Sequence, residues 1–85
     1  MSEEKTSRLA VAAIVVEGPE SVKELNEILH EFSRWIIGRM GIPCPSKAVS
    51  LISVAMDAPA DAISALTGKL GRLNGVSVKT AYSKV

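Results

Sequence analysis

Arg8 to Val16, "RLAVAAIVV", is β-forming and almost uninterruptedly apolar, which is the pattern of a strand covered on both faces rather than on one. A second run of the same kind is Ala48 to Met56, "AVSLISVAM", where Val49 and Leu51 point one way and Ile52, Val54 and Met56 the other. Two doubly apolar strands belong in the interior of a sheet. The remaining segments must therefore supply its edges and its cover.

Between these runs, Glu17-Gly18-Pro19 stops the first strand, and Pro19 suits a first helical position, where its missing N–H would have gone unpaired. The helix is expected to run to about Phe32, with Val22, Leu25, Ile28, Leu29 and Phe32 as its buried stripe. Trp35 to Ile42 reads as a second strand containing Gly38 and Gly41, followed by a Pro43-Cys44-Pro45-Ser46 loop. After the third strand, Asp57-Ala58-Pro59-Ala60-Asp61 opens a second helix, with Asp57 as cap candidate and Asp61 suited to the positive helix end. Ile63, Leu66, Leu70 and Leu73 form its stripe, and Asn74-Gly75 ends it. Val76, Val78, Thr80 and Tyr82 then alternate with Ser77, Lys79, Ala81 and Ser83 as a one-sided final strand.

The order is βαββαβ, the ferredoxin-like α+β arrangement, with both helices on one face of a four-stranded antiparallel sheet in the order 4132. That topology puts the first and third strands in the centre, where their composition wants them. It also leaves the opposite face of the two central strands bare. Such a patch exceeds what monomers usually expose, so a homo-oligomer is expected. The chain has 85 residues, 47% hydrophobic and 22% charged, an apolar load that one small domain hides with difficulty.

Other function classes are poorly supplied. The net charge is +1 with lysine and arginine scattered, so no footprint for nucleic acid is visible. No apolar run approaches the ~20 residues that span a bilayer, and "MSEEKTSR" lacks a signal-peptide layout. Together with a single cysteine, Cys44, this leads to the expectation of a cytoplasmic protein. Met1 to Ser7 reads as a flexible tail ahead of a single domain over 8–85.

Thr67-Gly68-Lys69-Leu70 lacks the earlier glycine and the hydroxyl of a phosphate-binding loop; Gly68 and Gly71 are expected instead to let their helix lie close to the sheet. His30 and Cys44 fall on a solvent face and a loop and make no nucleophile–base pair. Asp57 and Asp61 suit helix capping better than acid–base work. Arg39 is more open to interpretation. The glycines flanking Arg39-Met40 allow a ligand or another backbone to come near, and equally mark a bulge at a sheet edge, with Arg39 paired to a surface carboxylate.

At "ESVKELNEILHEFSRWIIGRMGIP", "VSLISVAMDAP" and "DAISALTGKLGRLNGVSVKTAYSK", the chain resembles a small family of proposed regulators of the iron-only hydrogenase system. The likeness covers Arg8 to Lys84. That family is similar to ACT domains and to the C-terminal domain of nickel-responsive regulators, which share the βαββαβ fold and form dimers or tetramers. The resemblance implies ligand-responsive regulation without catalysis. It implies a small-molecule effector at a subunit interface, near Glu17, Gly18 and Pro19 of one subunit and Gly38, Arg39, Met40 and Gly41 of another. There Gly18 would offer backbone N–H groups and Arg39 would clamp a carboxylate. His30 with Cys44 does not reproduce the nickel-binding set, so no metal or other cofactor is expected. No DNA-reading segment is present, so regulation would pass through a partner protein. The competing reading is a passive scaffold domain without a ligand.

Overall fold

The structure, a computed structural model, describes residues 7–84. The expected N-terminal tail therefore lies, except for Ser7, outside the described residues. The two apolar runs form β1 (Ser7–Glu17) and β3 (Val49–Pro59). They pair antiparallel along the full length of β1, from Ser7 opposite Pro59 to Glu17 opposite Val49. Between them come α1 (Val22–Glu31) and β2 (Ile36–Cys44), and after them α2 (Ala60–Gly71) and β4 (Val76–Tyr82). The sheet order is β2-β3-β1-β4, all neighbours antiparallel. This is the expected ferredoxin-like α+β fold.

Burial divides the central strands by parity. Ala10, Ala12, Ile14 and Val16 of β1 and Val54, Met56 and Ala58 of β3 are buried under the helices. α1 contributes Leu25 and Leu29, and α2 contributes Ile63, Leu66 and Leu70. Phe32, just past α1, completes this core with Val76 of β4. α2 packs across β4, β3 and β1, and α1 lies beside α2. A Lys69–Glu31 pair at 2.9 Å joins the helices, but both side chains are largely exposed, so it contributes under about 1 kcal/mol. The helix layer leaves β2 thinly covered, and no residue of that strand is buried.

Several boundaries differ from the expectation. α1 starts at Val22 and not at Pro19, because Pro19 to Ser21 first make a turn in which the Val22 N–H donates to the Pro19 carbonyl at 3.3 Å. Ser21 then spends its hydroxyl on the Asn74 carbonyl, at 2.8 Å, tying this loop to the turn before β4. β3 runs on to Pro59, so Asp57 is a strand residue and not a helix cap. The ladder continues because Leu9, Arg8 and Ser7 still offer partners to Asp57, Ala58 and Pro59. Pro43 and Cys44 belong to β2 rather than to a loop, which an edge strand tolerates because its outer side needs no N–H.

Two glycines are bound by geometry and two are not. Gly75 has φ +76, and a Cβ there would sit 2.6 Å from the Glu17 carbonyl oxygen, while the Glu17 N–H donates to the Gly75 carbonyl at 2.7 Å. Gly18 has φ +79 but open space around it. At Gly68 and Gly71 nothing lies within 4 Å of the place a Cβ would take, so they do not mediate a close helix-to-sheet approach as expected. Opposite signs follow in urea denaturation. Gly75→Ala lowers stability by at least about 1 kcal/mol, because both φ and contact forbid a side chain. Gly68→Ala, in a helix interior with room to spare, raises it by about 0.5–1 kcal/mol.

Candidate functional site

Strand β2 starts irregularly. Ile36 lies opposite Met56 and Gly38 opposite Ala55, so Ile37 is an extra residue, a β-bulge. Beyond it the strand alternates regularly. Arg39 and Gly41 fall opposite Val54 and Ile52, on the helix side of the sheet, while Met40 and Ile42 fall opposite Ser53 and Leu51, on the open side. One short strand thus presents its charge to one face and its large apolar side chains to the other.

On the helix side a cleft of about 190 Å³ lies between α1 and β2. Val22, Leu25 and Asn26 of α1 form one wall, Arg39, Gly41, Ile42 and Pro43 of β2 the other, with Val16, Ser50 and Ile52 at the back. The Arg39 guanidinium donates to Asn26 Oδ1 at 3.2 Å. Its partner is therefore an amide and not the carboxylate that a purely structural edge arginine would be expected to take. Among the described residues, Arg39 is the only charged one lining this cleft. A second, shallower depression of about 310 Å³ adjoins it, lined by Gly18, Pro19, Cys44, Pro45, Ala48 and Val49 together with the shared Val22, Pro43 and Ser50.

Within one chain, the seven residues singled out from the sequence do not meet at one place. Arg39 and Gly41 line the α1–β2 cleft, whereas Gly18 and Pro19 line the adjoining depression. Met40 lies on the opposite side of the sheet, Gly38 at the bulge, and Glu17 at the exposed end of β1 beside Val49. The Gly18 N–H expected to meet a ligand is already engaged. Gly18 N–H donates to the Ala48 carbonyl at 3.1 Å, and Glu17 N–H to Gly75. Sequence reasoning does not single out Asn26, Ser50 or Ile52 as site residues. The one signal for Asn26 is an amide beside the apolar stripe, one turn after Val22 and directly after Leu25.

His30 is exposed on α1, and Cys44 Sγ lies 3.7 Å from Ser46 Oγ. Among the described residues no group of three His, Cys, Asp or Glu side chains is placed to hold a metal ion, and no helix is long and apolar enough to cross a membrane.

Residues 8–80 match the TM1266-like family, described as candidate regulators of the iron-only hydrogenase system. The chain belongs to this family. The resemblance read from its sequence is thus confirmed. Among solved structures, this TM1266-like chain is similar to the uncharacterized protein TM1266 from Thermotoga maritima, at 39% identity and TM-score 0.89, over 92% of this chain and 99% of that one. It is also similar to the apo form of CPII from Thiomonas intermedia K12, a nitrogen regulatory PII-like protein, at TM-score 0.52 and 14% identity, over 89% and 91% of the two chains. That second likeness is one of fold. No match was found among curated proteins.

The cleft geometry separates a site arginine from a structural one. The Arg39–Asn26 bond is exposed, so Arg39→Ala and Asn26→Ala in this TM1266-like chain should each change unfolding free energy by no more than about 0.5 kcal/mol. Chemical denaturation of the two variants beside the parent chain measures this directly.

Proposed function

We propose that the chain is a non-catalytic, ACT-like regulatory module that assembles into a dimer or tetramer and binds a small effector at a subunit interface, acting on the hydrogenase system through a partner protein. The observation that carries the assembly is the open face of the sheet. There Leu9, Val11 and Leu51 are 41%, 44% and 45% exposed, and Met40 and Ile42 are 61% and 52% exposed. By register, Val15, Ala13, Ala55 and Ala81 fill in between them, and charges come only at the margins, with Glu17, Asp57 and Lys79. An apolar centre with a charged rim is the anatomy of a protein interface, and a second copy of the same face is its natural complement because small-domain oligomers are commonly two-fold symmetric.

The alternation along β2 supports coupling of effector and assembly. Arg39 and Gly41 border the cleft, Met40 belongs to the open face, and Ile42, on the open face by register, also borders the cleft. A ligand that holds Arg39 therefore acts on the same strand whose other side meets the neighbour. It shifts association only as far as it prefers the strand geometry of one state. The engaged N–H groups of Glu17 and Gly18 favour Arg39 over the β1–α1 loop as the ligand's anchor. They also give the scaffold alternative its one point of support, since Gly18 then has no N–H left to offer a ligand.

Sedimentation at micromolar concentration tests the assembly. The parent chain should run as a dimer or larger, and Val11→Asp, placed at the centre of the face, should run as a monomer with unchanged helix content. A parent chain that sediments as a monomer overturns the reading. Thermal melts with a metabolite panel test the effector, because a ligand bound only by the native state raises the midpoint with its free concentration. Assembly without any such shift leaves the scaffold.

A further inference from the structure

The cleft between α1 and β2 says more about its occupant than the family does. Val16 and Leu25 are buried, Ile52 is half-buried, and Val22 closes the outer side. The polar groups are few: the Arg39 guanidinium, the Asn26 amide that it touches, and the Ser50 hydroxyl. None of the lining residues is acidic. A pocket of this kind meets an anion at one end and hydrocarbon at the other, and has no carboxylate with which to receive an ammonium group.

Volume narrows the class further. Drug-sized ligands occupy pockets of roughly 300 Å³ and more, and a dry apolar cavity of about 150 Å³ takes a ring the size of benzene. At about 190 Å³, this cleft has room for little more than that. Arg39 has five N–H donors in a planar fork, and its only hydrogen bond among the described residues is to Asn26, so donors remain for a two-pronged contact with a carboxylate.

We propose that the α1–β2 cleft of each subunit binds a short aliphatic carboxylate lacking an amino group, its carboxylate held by Arg39 beside Asn26 and its hydrocarbon chain lying against Val16, Val22, Leu25 and Ile52. This rests on the effector-binding reading above and specifies its ligand class. It moves the anchoring contacts from between subunits to within one chain, with β2 as the strand that borders both the cleft and the open face. A free α-amino acid is disfavoured, because its ammonium would stand near the Arg39 guanidinium with no acidic partner in the lining. The corresponding alcohol lacks the charge that a two-pronged contact with Arg39 would pair.

The test is an NMR titration of the ¹⁵N-labelled parent chain with 3-methylbutanoate, 3-methylbutan-1-ol and leucine as probes. The acid should give saturable shifts of the Val22, Leu25, Asn26, Gly41 and Ile52 amides, with the alcohol and leucine at least tenfold weaker. Arg39→Gln should remove the preference for acid over alcohol while the spectrum stays folded. Asn26→Ala provides a second variant that weakens the acid without removing the charge. The proposal is overturned if the acid gives no saturable shift, if leucine binds as tightly, or if Arg39→Gln keeps the preference. Sedimentation of the same samples separates the two claims. An oligomer that ignores the acid removes the ligand class and leaves the assembly, whereas a monomer that binds it removes the assembly and leaves the cleft.

Discussion

The pairing of β1 with β3 over the whole length of β1 is the constraint from which the rest of the structure follows. These strands are separated in sequence by a helix and another strand, so their ladder is a long-range contact that nothing local enforces. What enforces it is that each carries apolar side chains on both faces. Placed at an edge, either would leave a hydrocarbon side against water; placed together in the centre, each buries one parity beneath the helices. β2 and β4 are then edges by necessity. Both have sequences that suit edges, one with glycines, a bulge and a proline, the other with a serine, a lysine and a threonine among its apolar residues.

The same constraint produces the functional asymmetry of the sheet. Two helices over a four-stranded sheet cover one face, and here they do not cover all of it. α2 sits over β4, β3 and β1, which hides the centre and leaves a strip beside β2 to α1 alone. That strip is where the α1–β2 cleft opens. The uncovered face is the other consequence, since the inward parity of β1 and β3 is satisfied by the helices and the outward parity is satisfied by nothing among the described residues of the same chain. Cleft and open face are therefore two results of one mismatch between helix layer and sheet, and β2 borders both.

The ends of the elements are held together more tightly than their lengths would require. The turn after β1 is tied to the turn before β4 through Glu17, Gly75, Ser21 and Asn74, and to the start of β3 through Gly18 and Ala48. Those bonds use the N–H groups of Glu17 and Gly18 and the hydroxyl of Ser21. This is why a loop that looks suited to an anion in sequence has its Gly18 N–H occupied in the fold.

Composition and periodicity were enough for the element order, the identity of the two central strands, the packing of both helices on one face, and the presence of an apolar face left over. These depend on parity and on the 3.6-residue stripe, which are properties of a segment and survive without knowledge of its neighbours. Family membership was legible too, because it rests on the order of residues. What the sequence did not reveal was anything decided by the meeting of distant segments. Asp57 has the chemistry of a helix cap, but it remains in a strand because Leu9 is there to pair with it. Gly68 resembles a packing glycine, yet no atom lies near the place its side chain would take. Gly18 and Arg39 were expected on two subunits of a shared site; within one chain, only the tertiary structure set Arg39 in a cleft beside Asn26 and gave the Gly18 N–H to Ala48. A side chain's type sets which bonds it can make; the company that folding brings to it sets which ones it does.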